Sequence, residues 1–213
     1  MRLFGVIVSL VFLVPFSYGQ RMSISAGLSY PLSVTSNREY EASYIGSGGF
    51  IKGTTSYYFS ERLGLELDII FQSNDVEWRY SGENATGEGE QEIVEQLKQV
   101  GYDTFTLALL FQYRLFKKKA FAGSMSMGAG LLFNFNEKKL DASLSENLFE
   151  FKKKASPTVN ANIKLAYFPK KYLGLYIEGN FLYSSKKIVV NNRNEIKYNF
   201  LFAGIGFGVI FGG

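Results

Sequence analysis

The sequence predicts an all-β chain in which eight antiparallel strands close, up and down, into a transmembrane β-barrel. Three observations carry that expectation. The first is a pair of long alternating runs over residues 102–135, joined by Lys117-Lys118-Lys119. In the first run Phe105, Leu107, Leu109, Phe111, Tyr113 and Leu115 alternate with Thr104, Thr106, Ala108, Gln112 and Arg114, with Leu110 as the exception. In the second, Phe121, Met125, Met127, Leu131, Phe133 and Phe135 alternate with Ala122, Ser124, Ser126, Gly128, Gly130 and Asn134. Period-two alternation marks strands with one apolar face and one small, polar face. Such runs exceed the usual five or six residues and meet the roughly 9–11 that a tilted strand needs to cross a bilayer. The second observation is that long and short connections alternate along the chain. The third is that aromatic residues gather where strands meet the short connections.

Residues 1–19 read as a secretory signal peptide and 20–213 as the barrel domain. Arg2 is a short basic region, residues 3–16 are apolar apart from Gly5, Ser9 and Pro15, and Ser17-Tyr18-Gly19 places small residues before a cut at Gln20. The apolar core falls short of the roughly 20 residues of a spanning helix, and no later stretch is apolar enough to be one. Strands must therefore do any spanning. The chain has no cysteine and no histidine. This removes disulfides, thiolate metal sites, cysteine nucleophiles and the commonest general base. The formal charge of +4 is dispersed among turns and loops, not gathered into the coherent basic stripe of a nucleic-acid interface. Aromatics at 16% and 22 glycines are high for a soluble domain and suit a barrel in lipid.

Taken in order, strand one covers 22–32, with Met22, Ile24, Ala26, Leu28 and Tyr30 opposite Ser23, Ser25, Gly27 and Ser29, and Pro31 near its end. A polar loop is expected at 33–41. Strand two runs to about Phe59, its start blurred by Gly46-Ser47-Gly48-Gly49, and Ser60-Glu61-Arg62 turns the chain tightly into strand three at Leu63. Residues 74–101 form the longest connection, holding seven acidic residues (Asp75, Glu77, Glu83, Glu88, Glu90, Glu92, Glu95) against Arg79 and Lys98. Ile93, Leu97 and Val100 fall at helical spacing, so a short helix is expected in its second half. Strands four and five are the opening hairpin. A charged loop over 136–155 precedes strand six (158–168), Pro169-Lys170-Lys171 turns into strand seven from Leu173, and a polar loop over 184–194 precedes the last strand, 195–211. Short turns then share one rim and long loops the other, as in a membrane barrel.

Alternation alone does not say which face points outward, and a soluble lipocalin-like carrier has the reverse arrangement. The polar face is mostly Ser, Gly, Thr, Ala and Asn, whereas a water-facing exterior would carry many more Lys and Glu. Tyr57, Phe59, Tyr113, Phe116, Phe121, Tyr167, Tyr172 and Phe211 gather at the tight turns, like an interfacial girdle. The apolar face is therefore assigned to lipid.

The signal segment ending Ser17-Tyr18-Gly19-Gln20, the opening Ser25-Ala26-Gly27-Leu28 and the glycine-alternating close over 203–211 resemble the small eight-stranded outer-membrane β-barrels of Bacteroidetes-type Gram-negative bacteria, sometimes labelled PorT-like. The resemblance implies outer-membrane residence, assembly by the general barrel-insertion machinery and a secretion-accessory role.

The polar face carries Lys52, Glu66, Asp68, Arg114, Lys164 and Glu178, three basic and three acidic residues assigned to the barrel interior. An eight-stranded barrel is just wide enough for its interior side chains to fill it, so these charges are expected to pair as a structural plug. The alternative is a narrow pore for small solutes with the same charges as a selectivity ring. In the longest loop Trp78 and Tyr80 are candidate aromatic anchors and Glu88, Glu90 and Glu92 candidate acidic contacts for an external protein or surface ligand. Lys117–Lys119 and Lys170-Lys171 on one rim, and Lys152–Lys154 and Lys186-Lys187 on the other, are candidate contacts to lipid headgroups and lipopolysaccharide phosphates. Barrel enzymes of this membrane resemble one another in using histidine, which this chain lacks. No catalytic set, metal or cofactor is expected, and the expected role is structural or surface-interacting.

Overall fold

A computed structural model describes residues 20–35, 40–43, 48–85, 91–139, 149–151, 155–190 and 194–212. Side chains are described at 20–30, 48–73, 103–134, 155–185, 199 and 201–212. The signal-peptide assignment, residues 1–19, lies outside them. Ten strands are formed: β1 (Gln20–Thr35), β2 (Tyr40–Ser43), β3 (Gly48–Tyr58), β4 (Leu63–Ala85), β5 (Gln91–Lys118), β6 (Phe121–Lys139), β7 (Phe149–Phe151), β8 (Ala155–Lys170), β9 (Leu173–Val190) and β10 (Asn194–Phe211). Eight of them are staves. Each pairs antiparallel with its chain neighbour, and β1 pairs with β10 to close the ring. The other two, β2 and β7, add short ladders to β4 and β9.

Ring closure fixes the shape. Partners traced from Ser23 through Thr54, Asp68, Ala108, Gly130, Thr158, Ser184 and Phe200 return to β1 at Ser33, a stagger of 10 residues (33 minus 23). With a rise of about 3.3 Å and a strand spacing of about 4.8 Å, that stagger tilts the staves by about 40° and gives a backbone radius of about 8 Å. A lumen of that radius holds side chains, not a wide channel.

The two faces fall as the alternation requires. Leu107, Leu109, Phe111, Met125, Met127, Ile163, Leu175 and Phe207 are exposed on the outside, while Ser25, Thr54, Thr106, Gln112, Ser126 and Asn162 are buried inside. An exterior this apolar is matched by lipid and not by water, the reverse of a lipocalin-like carrier. All eight aromatics assigned to the girdle are exposed near the short-turn rim. Phe121 packs against Tyr167 with ring centres 5.1 Å apart and planes tilted by 40°, and Phe59 meets Phe111 edge-on at 6.1 Å.

Three sequence expectations are corrected. The second half of residues 74–101 is strand, not helix: β4 and β5 pair without a break from Leu63↔Tyr113 to Ala85↔Gln91. The helical spacing of Ile93, Leu97 and Val100 yields because the ladder already formed below continues, and each added pair satisfies backbone groups that a helix would have to bond anew. The loops expected at 33–41, 136–155 and 184–194 are likewise shortened by extended strands and by β2 and β7. Arg114, assigned to the interior charge set, lies instead at the short-turn mouth, where a register shift between Arg114 and Phe116 ends the regular ladder.

Candidate functional site

The lumen is built in three levels, each from residues that alternate onto the inner face. Toward the long-hairpin rim the inner face carries an apolar group set among neutral polar residues such as Ser29, Gln72 and Asn160. Phe50, Ile70, Leu132, Leu182 and Phe202 are all buried there, and Phe50, Ile70, Leu182 and Phe202 line one small cavity. Ile70, which breaks the polar pattern of its strand, belongs to this level, whereas Leu110 pairs with Glu66 and is buried beside the ionic cluster below. A glycine on the facing stave makes the room, since a Cβ on Gly206 would stand 2.7 Å from Phe50 Cζ; nearer the short-turn end Gly208 does the same for Tyr176, which packs with Ala166 and Ile210.

The middle level is an ionic cluster. Lys52, Glu66, Asp68, Lys164 and Glu178 are buried on four different staves, and the register brings them together. Lys52 Nζ lies 2.5 Å from Glu178 Oε2 and 3.6 Å from Asp68 Oδ2, and it donates to Asn180 Oδ1 at 2.7 Å. Lys164 Nζ lies 2.9 Å from Glu66 Oε1. Neutral donors complete the carboxylates. Glu66 accepts from Gln112 at 2.9 Å, Ser126 at 3.1 Å and Asn162 at 3.0 Å. Asp68 accepts from Thr54 and from Asn162, each at 2.7 Å. Ser25 donates to Glu178 Oε1. Asn162 thus ties the Glu66 and Asp68 carboxylates together, and sequence reading had not singled it out.

The third level closes the short-turn mouth. Arg114 sits with its guanidinium carbon 3.9 Å from the centre of the Tyr58 ring and donates from Nη1 to the Glu61 carbonyl at 2.8 Å. Arg21 lies over the same ring at 5.7 Å and over Phe168 at 5.0 Å. Arg21 shares the parity of Ser23 and Ser25 on β1. A strand begun one residue earlier in the sequence reading would have placed it inside.

Of the external candidates, Glu88 and Glu90 lie outside the described residues. Trp78, Tyr80 and Glu92 fall on described backbone, not on a loop: Trp78 pairs with Lys98, Tyr80 with Gln96 and Glu92 with Asn84. Tyr80 and Trp78 also pair on their other side with Tyr40 and Ala42 of β2. The chemistry of the described site is ion pairing. Each lumen carboxylate is held by an ammonium and by neutral donors, and among the described residues no group of three or more His, Cys, Asp or Glu side chains is arranged to hold a metal ion.

No family model matches the chain, and no curated protein matches it either. Solved structures do. The outer membrane protein OprG from Pseudomonas aeruginosa superposes with a TM-score of 0.59 at 16% identity, covering 93% of this chain and 98% of that one. Neisserial surface protein A, NspA, gives a TM-score of 0.53 at 11% identity over 92% and 97% of the two chains. The fold is that of a small outer-membrane β-barrel. At these identities the likeness is one of fold alone, and the charges of the lumen are this chain's own to explain.

Proposed function

We propose that the chain is a non-catalytic integral protein of the Gram-negative outer membrane that works through the hairpin it raises above the bilayer. The observation that carries this reading is the contrast between a filled lumen and an extended hairpin. Beyond the outward apolar row that ends at Phe71 and Phe105, β4 and β5 continue for twelve further pairs, from Asn74↔Tyr102 to Ala85↔Gln91. At about 3.4 Å per residue this ladder is about 40 Å long. Its acidic residues and Trp78 and Tyr80 would meet an external protein or surface ligand, with lipopolysaccharide phosphates beside Lys152–Lys154 and Lys186-Lys187. Residues 1–19 would direct export, after which the barrel-insertion machinery folds the chain into the membrane. The PorT-like resemblance makes a secretion-accessory partner one form of this role. The absence of histidine and cysteine from the sequence supports a role without catalysis.

The test begins with membrane fractionation and gel migration of boiled and unboiled protein, then compares the full chain with a variant lacking residues 75–100. The proposal expects an outer-membrane protein that migrates faster unboiled in both forms, with surface capture of partners lost only in the shortened one. Soluble periplasmic recovery without a mobility shift would refute the location. Partner capture unchanged by the deletion would refute the role of the hairpin.

A further inference from the structure

The ionic cluster leaves one group of charges unanswered. At the short-turn mouth Arg21 and Arg114 share the Tyr58 ring, and Lys117 and Lys171 stand near them on the rim. Among the described residues no carboxylate lies within ion-pair distance of either arginine: the recorded ion pairs involve only Lys52, Lys164, Glu66, Asp68 and Glu178. Arg114 takes the backbone carbonyl of Glu61, not its carboxylate, and its Nε is buried with no hydrogen-bond partner. Partial burial, and then the like charges of Arg21, Arg114 and Lys171, hold the Lys117 ammonium below its ordinary range. The Tyr58 and Phe168 rings hold the two guanidinium groups in place by cation–π contact, so less side-chain freedom remains to be lost when a ligand is bound.

Between these groups lies a small cavity with Arg21, Arg114 and the hydroxyls of Ser23, Ser56 and Ser124 on its polar side, apolar residues such as Ala166 and Ile210 on the other, and the Glu66-paired Lys164 at its inner end. Its donors are two guanidinium groups and several hydroxyls. The bonded partners of Gln112 show where the cavity ends: its amide nitrogen turns inward to Glu66 and reaches Ser124 at 3.5 Å. A forked, cationic donor set with no carboxylate partner, and with the Arg114 Nε unbonded, matches a tetrahedral oxyanion, which accepts several charge-assisted hydrogen bonds at once. We infer that the short-turn mouth of the barrel, built on Arg21 and Arg114, is a binding site for a phosphate group, presented either by a soluble anion or by a lipid headgroup.

The experiment uses the full-length barrel labelled with 15N-arginine in octyl glucoside, a detergent without phosphate. Inorganic phosphate is titrated while the Arg21 and Arg114 Nε–Hε resonances are followed. Saturable shifts of both are expected. Arg21→Gln and, separately, Arg114→Gln should each weaken the titration by at least about tenfold. Arg62→Gln, which removes an exposed charge on the same rim, should leave it within about twofold, and unboiled gel migration shows that each variant is folded. Because Arg114 also braces the Glu61 turn, Arg21→Gln alone decides the matter if Arg114→Gln does not fold. Reconstitution in nanodiscs then separates the sources: resonances already shifted in phosphatidylglycerol discs identify the headgroup, and resonances that still respond to added phosphate identify a soluble anion. Either result upholds the site. Non-saturable shifts, or equal weakening in Arg62→Gln and Arg21→Gln, would overturn it.

Discussion

Replacing Lys52 by methionine removes the ammonium at the centre of the lumen while keeping most of its volume. In the native cluster two ammonium groups face three carboxylates, and Lys52 serves Glu178 at 2.5 Å and Asp68 at 3.6 Å. At an effective dielectric of about 20 these contacts are each worth on the order of 5–7 kcal/mol before desolvation is counted. Desolvation of buried ions offsets most of that gain, so the intact cluster contributes little net stability. The loss of one partner is different, because Glu178 and Asp68 stay buried with their charge uncompensated. The expected cost of Lys52→Met is about 3–5 kcal/mol. Adding Glu178→Gln removes one of the stranded charges, and the double variant should recover about 2 kcal/mol relative to the sum of the single effects. Equilibrium urea unfolding in phospholipid vesicles, read by the heat-modifiable gel shift, measures both numbers. A single-variant cost below about 1 kcal/mol, or strictly additive effects, would show that the cluster is hydrated and screened and would refute the plug.

Other consequences are as direct. Leu109→Arg, midway along the outward row of β5, should destabilise the barrel by about 2–4 kcal/mol in vesicles, whereas Tyr172→Arg on the short-turn rim should cost at most about 1 kcal/mol; equal costs would contradict the assigned bilayer position. Gly208→Val would drive a side chain into the Ile24 carbonyl and the Tyr176 ring, and the yield of heat-modifiable barrel after refolding should fall several-fold. Planar-bilayer recording should show no steady conductance in the native barrel or in Arg114→Ala; ion-selective current that changes in Glu66→Ala would restore the pore reading.

Much of this architecture was legible because a strand repeats every two residues and a barrel must place one parity in lipid. The runs through Leu109 and Met127 needed no partner to be read, and the short turns at Glu61, Lys118 and Lys170 followed from them. Legibility failed where a residue's meaning depends on another stave. Ile70 has the parity of the polar face, yet it belongs to an apolar group that includes Phe50 and Phe202 from distant segments, and Leu110, the exception in its run, is buried against the stave that carries Glu66. Arg114 had the right parity for the interior but the wrong height, since nothing local announces the register shift beside it. Asn162 was one of several asparagines on the inner face, and only the stagger of the sheet sets it between Glu66 and Asp68. The long acidic segment failed for a different reason: its composition is that of a solvated loop, and pairing supplied by the ladder beneath it overrides that preference.

That division predicts how the hairpin and the barrel depend on each other. Removing residues 75–100 and joining Asn74 to Gly101 would leave eleven pairs of the β4–β5 ladder, Leu63↔Tyr113 through Ser73↔Asp103, intact. It would touch none of the lumen contacts of Lys52, Glu66, Asp68, Lys164 or Glu178, all of which lie between residues 25 and 180 below that cut. A shorter connection also lowers the entropy cost of closing β4 onto β5, by a few tenths of a kcal/mol to about 1 kcal/mol. The shortened barrel should therefore unfold in urea within about 1 kcal/mol of the full chain, and neither should differ in boiled and unboiled migration behaviour. A loss of several kcal/mol would mean that the ladder above the bilayer holds the barrel shut, and that the hairpin is a structural brace before it is a surface for partners.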